Sequence, residues 1–514
     1  MTDQSTSVPS RGFVDLVGAG PGDPGLLTRL GAECLEKADA VVYDHLIDLR
    51  LLDLAPRAQK IFAGKSSGKC AMKQEEINAL LVDLARKGKR VVRLKGGDPY
   101  VFGRGAEEAE HLFAAGIPFR VVPGVTAAVG VTSYAGIPIT HRDASSAVAF
   151  VSGHNDLVSS ASRLDWASLA RFPGTLVVYM GVGRLQVICE TLIREGRDPK
   201  TPASMIQSGT FASQKTVVGT LATLPSLATA ARVGPPALFV VGDVVNRRPA
   251  LSWFENRPLF GRTIVVTRPE ASASDLEALG AEVLFAPMIQ ILPLEDFGPL
   301  DDAIDRLAEF DWVVFTSKNG VRHLFQRLLA NGKDLRALGC LKLAAIGPGT
   351  AHALAEYHLK PDLVPSSFVS EGLVDALKAE AIGKRVLLVR ADRGRTVLQD
   401  ELGAIAHVEH LASYRNVDCE SLPKDLEARI LDGRVDWITL TSRAITNRLH
   451  ALLSIEARAK VGTSVKLASL SPVTTEAATA LGWTIAAEAE EFTWDGLVQE
   501  ILRAEAARDQ RNSL

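Results

Sequence analysis

The run Val92-Arg93-Leu94-Lys95-Gly96-Gly97-Asp98-Pro99-Tyr100-Val101-Phe102-Gly103-Arg104-Gly105 sets an apolar strand against paired glycines, a carboxylate and two arginines. Paired glycines let backbone N–H and C=O groups reach a bound molecule without a Cβ in the way, and Asp98 can accept hydrogen bonds from hydroxyl or ammonium groups. Loops that follow strand ends in open α/β sheets commonly hold ligands. The run therefore reads as a ligand site, with a plain surface loop as the alternative. A second run, Gly18-Ala19-Gly20-Pro21-Gly22-Asp23-Pro24-Gly25, invites a dinucleotide reading, helped by Asp44 after Val41-Val42-Tyr43. The prolines oppose it. In the nucleotide fingerprint the helix opens inside the glycine motif, whereas Pro21 and Pro24 lack the N–H donor and hold the chain out of helix. What such a loop can do is present a rigid backbone rim to a ligand.

The second half carries hydroxyls at strand ends: Thr316-Ser317, Thr441-Ser442, Thr350 within Gly347-Pro348-Gly349-Thr350, and Ser370 before Glu371-Gly372. Hydroxyl and amide donors can bind carboxylates at the edge of a cleft. Each hydroxyl taken singly is better read as a cap of the helix that follows a strand.

The elements that must position these residues are short apolar runs alternating with helical patterns from Phe13 onward, which predicts an α/β fold with crossover helices. Near Arg247 to Pro258 two prolines and mixed polar residues interrupt the period, and Gly261 to Arg268 restarts with a new strand. The expected divisions are a tail over 1–12, a first domain over 13–250, a linker over 251–260, a second domain over 261–507 and a tail over 508–514. The second domain is internally duplicated. Phe310 to Ser317 recurs as Val435 to Ser442, displaced by 125 positions, Leu343 to Thr350 as Leu467 to Thr474, displaced by 124, and Gly261 to Arg268 as Gly383 to Arg390, displaced by 122. Repeats of that length are domain-sized, which predicts two similar α/β lobes facing a cleft.

Composition bounds the partners. With 514 residues, 47% hydrophobic, 23% charged and a formal net charge of −3, the chain is an ordinary multidomain globular protein. Nucleic acid is not the expected partner of so balanced a charge. The five cysteines form no CxxC pair and no close framework, so neither a metal nor disulfides are indicated and a reducing cytoplasm fits. No stretch approaches the ~18 consecutive apolar residues of a membrane span, and no secretory leader is read at the start.

In order and spacing, Gly18 to Pro24, Tyr43-Asp44, Gln74 to Asn78, Gly96 to Pro99, Val122 to Ala127, Ala135 to Arg142 and Tyr179-Met180-Gly181 resemble uroporphyrinogen III C-methyltransferase over about Phe13 to Leu251. The resemblance implies a tetrapyrrole-methylase fold of two α/β subdomains with S-adenosylmethionine between them, which leaves as S-adenosylhomocysteine. It implies two methylations of uroporphyrinogen III to precorrin-2, towards sirohaem and cobalamin, in a homodimer formed through this half. The cofactor contacts it implies fall on Pro21, Gly96, Gly97, Asp98, Val101, Thr126, Ala127, Met180 and Gly209. Asp44 is implied as proton acceptor and Lys65 as proton donor, against the plain alternatives of a strand-end cap and a solvated charge. Arg93, Arg104 and Arg142 are candidates for the substrate carboxylates, because forked guanidinium groups suit them.

Phe315 to Val321, Ile346 to Ala351, Val369 to Leu373 and Tyr414-Arg415 resemble uroporphyrinogen III synthase over about Arg262 to Ala504. This implies two α/β lobes joined by a pair of extended crossings, one lobe of 261–288 with 415–507 and the other of 290–412. It implies closure of hydroxymethylbilane to uroporphyrinogen III without a cofactor, with Tyr414 as the acid that helps the substrate hydroxyl leave. Thr316, Ser317, Thr350, Ser370, Thr441 and Ser442 become its substrate-binding candidates. The product of the second half is the substrate of the first, so each assignment supports the other. Nothing before Phe13 reads as a nucleotide-binding domain, so precorrin-2 oxidation and iron insertion are not expected. The rivals are a methyltransferase for a later corrin precursor, and a second half that senses ligand without catalysis.

Overall fold

Runs such as Val14 to Val17 and Val91 to Leu94 put apolar residues on both faces, and in the computed structural model they form strands buried on both sides, Asp15 and Arg93 included. The described residues are 12–64, 72–153, 164–269, 274–368, 370–393 and 397–512. They fall into two units, Met1–Arg262 with Ser274–Glu282, and Thr263–Ala273 with Val283–Leu514.

The first unit holds two sheets. One contains β1 (Phe13–Gly18), β2 (Ala40–Tyr43), β3 (Gln59–Phe62), β4 (Arg90–Lys95) and β5 (Phe119–Val122), in the order β3-β2-β4-β1-β5. All its pairings are parallel. The chain leaves β1 toward one edge and β4 toward the other, so the order reverses between these neighbours, which is where open α/β sheets bind ligands beyond the strand C-termini. The other sheet contains β6 (Val148–Ser152), β7 (Thr175–Tyr179), β8 (Pro202–Gln207), β9 (Lys215–Thr220) and β10 (Ala237–Val241), ordered β6-β7-β10-β8-β9. Only β6 and β7 run parallel. The helix Ala127–Tyr134, which follows β5, packs Ala128 and Val131 onto this second sheet beside Val177, Ile206 and Val240.

Residues 251–260 differ from the linker expected of them. The prolines do break the helical period, yet Phe254 is only 2% exposed and lies against the rings of Tyr134, Trp253 and Phe260. Arg257 stacks its guanidinium 3.9 Å from the Phe254 ring. Glu255 accepts hydrogen bonds from Gln214, Thr216 and Arg248. Aromatic residues in a proline-rich stretch find a core rather than water, and here they finish the first unit.

The second unit also holds two sheets. Its strands are β11 (Thr263–Val266), β12 (Glu282–Phe285), β13 (Ile289–Leu292), β14 (Trp312–Phe315), β15 (Lys342–Ala345), β16 (Arg385–Ala391), β17 (His407–Asp418), β18 (Trp437–Leu440), β19 (Lys466–Ser469) and β20 (Ala487–Glu488). The orders are β12-β11-β18-β19-β20 and β13-β17-β16-β14-β15. The displacement of about 125 lays β14 on β18, β15 on β19, β16 on β11 and β17 on β12. Each sheet thus takes two of these strands from each repeat. The likeness reaches single contacts: Asp311 Oδ2 accepts the N–H of Arg385, and Asp436 Oδ2 accepts that of Thr263, both at 2.9 Å. Lys342 sits over Trp312 at 5.1 Å and Lys466 over Trp437 at 4.9 Å. Antiparallel β13 and β17 form two extended crossings, because Cys419 N–H bonds Met288 O just past them, and Met288 N–H bonds Thr267 O after β11. No helix among the described residues is long and apolar enough to cross a membrane.

If the 251–260 segment belongs to the first core, Phe254→Ala costs about 3–5 kcal/mol, the usual range for emptying a buried phenylalanine site. Denaturant unfolding of the full chain measures it, and an unchanged midpoint would return the segment to the role of a linker.

Candidate active sites

The loops after β1, β4 and β5 come together because three glycines lack side chains. A Cβ on Gly18 would lie 2.6 Å from both Gly124 Cα and Gly97 O, and one on Gly124 would lie 2.2 Å from Gly97 O. Gly20 and Gly97 exchange backbone hydrogen bonds of 3.2 and 2.7 Å. Gly97 itself has φ +67, which glycine adopts without strain. A Cβ there would meet Ala127 N and Thr126 Cα at ordinary contact distance, each 3.8 Å away. On the first glycine loop, Pro24–Leu26 forms a single 3-10 turn and the helix begins only at Arg29, so no helix N-terminus lies within the glycine motif.

Asp98, expected to hold the cofactor's polar groups, also braces the loops around it. Its Oδ1 accepts the Tyr100 N–H at 2.8 Å and its Oδ2 the Gly124 N–H at 3.1 Å, which ties the β4 loop to the β5 loop. Across the opening, Thr126 Oγ1 stands 2.6 Å from the Tyr179 hydroxyl, which also accepts the Ala128 N–H at 2.8 Å. Met180, next in the chain, has φ +56 and is 52% exposed. Gly209 lies where a Cβ would collide with Val131 at 2.3 Å, and Gly130 lies against Pro21 in the same way. Val101 precedes Phe102, whose ring packs 5.0 Å from that of Tyr179.

Arg93 needs correction. It was read as a substrate-binding arginine, but it is buried, because it shares a strand face with Lys95 and that face meets Glu108 in the helix Gly105–Ala114. Its Nε donates to Glu108 Oε1 at 3.2 Å, its Nη1 to Leu94 O, and its Nη2 to Asp44 Oδ2 at 3.3 Å. Lys95 Nζ reaches the same Glu108 oxygen at 3.0 Å, and Gln74 donates to it at 3.1 Å. Burial, helped by the Arg93 charge, pulls the Lys95 ammonium below the ordinary lysine range. Arg93 is thus a brace for Asp44 rather than a free fork. Asp44 also accepts the Leu46 N–H at 3.0 Å, and Leu46 Cβ lies 2.8 Å from where a Gly96 Cβ would be, so the Asp44 turn abuts the glycine loop. Arg104 is exposed and pairs with Glu107 at 2.6 Å, while Arg142 is exposed on the turn after His141. Lys65 lies outside the described residues. Glu108 does not stand out in the sequence, and Tyr179 stands there only as part of a motif, without a role. The available signal for Glu108 was its place on the apolar stripe of Gly105, Ala109 and Leu112.

In the second unit, Tyr414 and Ser317 meet. The Tyr414 hydroxyl is 2.9 Å from Ser317 Oγ, which also accepts the Gly320 N–H and so caps the helix Lys318–Ala330. Tyr414 is buried, and His323 stacks on its ring at 5.4 Å. The register of β16 and β17 shifts between Arg390 and Ala391, beside Tyr414, and an irregularity of this kind re-aims a side chain. Thr316 N–H and Oγ1 both face Val389 O. Thr350 is buried in the helix Pro348–Ala355, and Ser370 opens the helix Ser370–Leu377. Ser442 caps the helix Arg443–Leu452 at Ile445 N–H, with Thr441 beside it at the end of β18. The structure joins Ser317 to Tyr414 but gives Ser442 only its cap among the bonds described.

Residues 14–225 match the family model for tetrapyrrole (corrin/porphyrin) methylases, and residues 270–499 match that for uroporphyrinogen-III synthase HemD. The chain is 38% identical over 445 residues to the porphyrin biosynthesis protein HemD of Ruminiclostridium josui, covering 84% of this chain and 87% of that protein. It is 42% identical over 336 residues to the uroporphyrinogen-III C-methyltransferase of Bacillus subtilis, covering 64% and 69%. A uroporphyrin-III C-methyltransferase from Thermus thermophilus, solved with S-adenosyl homocysteine, is 42% identical and covers 46% of this chain and 93% of its own, with a TM-score of 0.39. The chain spans about half the length of the siroheme synthases it matches. With a methylase sheet pair in one unit and the two duplicated lobes of a synthase in the other, the chain belongs to the tetrapyrrole-biosynthesis family that joins a uroporphyrinogen-III C-methyltransferase to a uroporphyrinogen-III synthase.

Proposed function

We propose that the second unit closes hydroxymethylbilane into uroporphyrinogen III with inversion of the last ring, and that the first methylates this product twice at carbon, giving precorrin-2 for sirohaem and cobalamin. The observation that carries the methyltransferase reading is the glycine main chain at Gly97, facing Thr126 and Ala127 at the point where the sheet order reverses. A ligand lying there meets backbone rather than side chains, which suits S-adenosylmethionine. When bound, that group supplies a methyl carried on a sulfonium. Pro21, Gly96, Gly97, Val101, Thr126, Ala127, Met180 and Gly209 hold it, and Asp98 keeps two of the loops in register.

Asp44 accepts the proton that the macrocycle gives up, at a position other than the methylated carbon, once the methyl has been transferred, a task that needs a base held at one place. Arg93 and the Leu46 N–H hold it there. Lys65 acts as the complementary donor. Arg104 and Arg142, both exposed, are the guanidinium groups left for substrate carboxylates. In the second unit Tyr414 protonates the departing hydroxyl of hydroxymethylbilane, with Ser317 orienting the phenol, while Thr316, Thr350, Ser370, Thr441 and Ser442 offer hydroxyls to its carboxylates. The chain works in the cytoplasm as a homodimer through the first unit, and it needs neither nucleic acid nor membrane. Light scattering at twice the chain mass supports the dimer, and a monomeric mass at working concentration removes it.

Asp98→Ala leaves two backbone N–H groups unpaired and loosens the loop pair. Affinity for S-adenosylhomocysteine drops by about 1.5–3 kcal/mol, the range for a hydrogen bond to a charged group, while ring closure keeps its rate. Calorimetry on a folded variant with wild-type affinity would contradict this.

Tyr414→Phe slows formation of the type III isomer by about 10²–10⁴-fold, the usual loss for a positioned acid, and leaves methylation of preformed uroporphyrinogen III unchanged. Because hydroxymethylbilane also closes spontaneously to the type I isomer, the isomer ratio is the readout. Wild-type protein yielding only type I would make the second unit a sensing module.

A further inference from the structure

Among the described residues eight non-glycines have positive φ, and five of them, Phe102, Arg104, Met180, Ser208 and Thr210, stand on the loops around the first unit's candidate site. Such conformations are uncommon and persist where the surroundings over-determine them. Tyr179 links these loops. It ends β7, it directly precedes Met180, its ring packs on Phe102, and its hydroxyl reaches the start of the helix Ala127–Tyr134.

Thr126 has the extended backbone of a helix N-cap, φ −68 and ψ 150, and a side chain of the right type, yet it makes no capping hydrogen bond. The Tyr179 hydroxyl accepts the Ala128 N–H in its place. We infer that Tyr179 is a positioning residue for S-adenosylmethionine: by capping the helix itself and donating to Thr126 Oγ1, it frees the Thr126 O–H to donate to an acceptor oxygen of the ligand. The inference rests on the methyltransferase reading above. A phenol has one proton, and the Ala128 N–H already occupies one of its lone pairs. Of the two hydroxyls 2.6 Å apart, the phenol is the more acidic and the better donor, so its proton lies toward Thr126. Burial raises the phenol pKa further, which keeps it protonated at working pH. Thr126 is left with a proton of its own and no intrahelical use for it, beside the backbone of Gly97, whose Cβ position lies 3.8 Å from Thr126 Cα.

Calorimetric titration of the full chain with S-adenosylhomocysteine tests this. Tyr179→Phe keeps the buried ring and weakens binding about tenfold, the effect of one hydrogen bond, with KM for S-adenosylmethionine raised and kcat at saturation retained. Thr126→Val loses a similar factor, Thr126→Ser stays near wild type, and the double variant Tyr179→Phe with Thr126→Val binds no more weakly than Thr126→Val alone. A Tyr179→Phe protein that binds like wild type, or losses that multiply in the double variant, would overturn the inference and leave the methyltransferase reading standing. Should Tyr179→Phe not fold, Thr126→Val with wild-type affinity overturns it, because Tyr179 would have nothing to act through. Wild-type protein that does not bind S-adenosylhomocysteine fails the methyltransferase reading itself, and this inference with it.

Discussion

Everything chemical in the first unit depends on three stretches of main chain approaching closer than any side chain allows. Gly18, Gly97 and Gly124 come from three different loops, and a methyl group on the first or the last would overlap backbone atoms of its neighbours. Removing those methyl groups lets the ends of β1, β4 and β5 close on each other where the sheet order reverses. The Gly20 to Gly97 hydrogen bonds and the Asp98 carboxylate then fix the arrangement. The result is a rim of polar backbone.

The charges lie one layer back. Arg93, Lys95, Glu108 and Asp44 form a connected set with two charges of each sign, of which only Asp44 approaches solvent. Buried ion pairs of this kind are poor sources of stability, since desolvation offsets most of their attraction, but they fix geometry well. Removing Arg93 would leave Glu108 with only Lys95 and Gln74, and would release Asp44 from its second anchor. The cluster is therefore best understood as a device that sets the position of one carboxylate.

Much of this was legible in the residues, for definite reasons. Alternating short strands and helices, the glycine loops, and prolines that forbid a helix inside the first glycine motif are all local signals, and local geometry followed them. The duplication was legible because its strands and its Asp-Trp pairs recur at near-constant displacement, and the lysine-on-tryptophan contacts follow it in the fold. What stayed hidden depended on long-range packing. Arg93 looks like any arginine near a ligand loop until Glu108, fifteen residues on in the chain, is brought beneath it. Phe254 looks like part of a linker until Tyr134 and Phe260 surround it. Asp98 has the right chemistry for a ligand, and only the folded loop shows both its oxygens already accepting backbone N–H groups.

The duplication also bears on why the second unit has one phenol at its centre rather than two. Thr316-Ser317 and Thr441-Ser442 occupy equivalent strand ends, and both serines cap the following helix through the same bond. At the displacement of 125, however, Tyr414 corresponds to Ile289. Both positions lie in the crossing pair β13 and β17, whose antiparallel register is itself compatible with the duplication, so what differs between the two places is the residue type. The register shift beside Tyr414 occurs on β17, where that strand stops following β16 and takes up β13. Symmetry therefore supplies two similar hydroxyl-lined strand ends, and the residue types break it by setting the Tyr414 phenol beside one of them. A linear tetrapyrrole that must distinguish its last ring from the other three needs that kind of asymmetry.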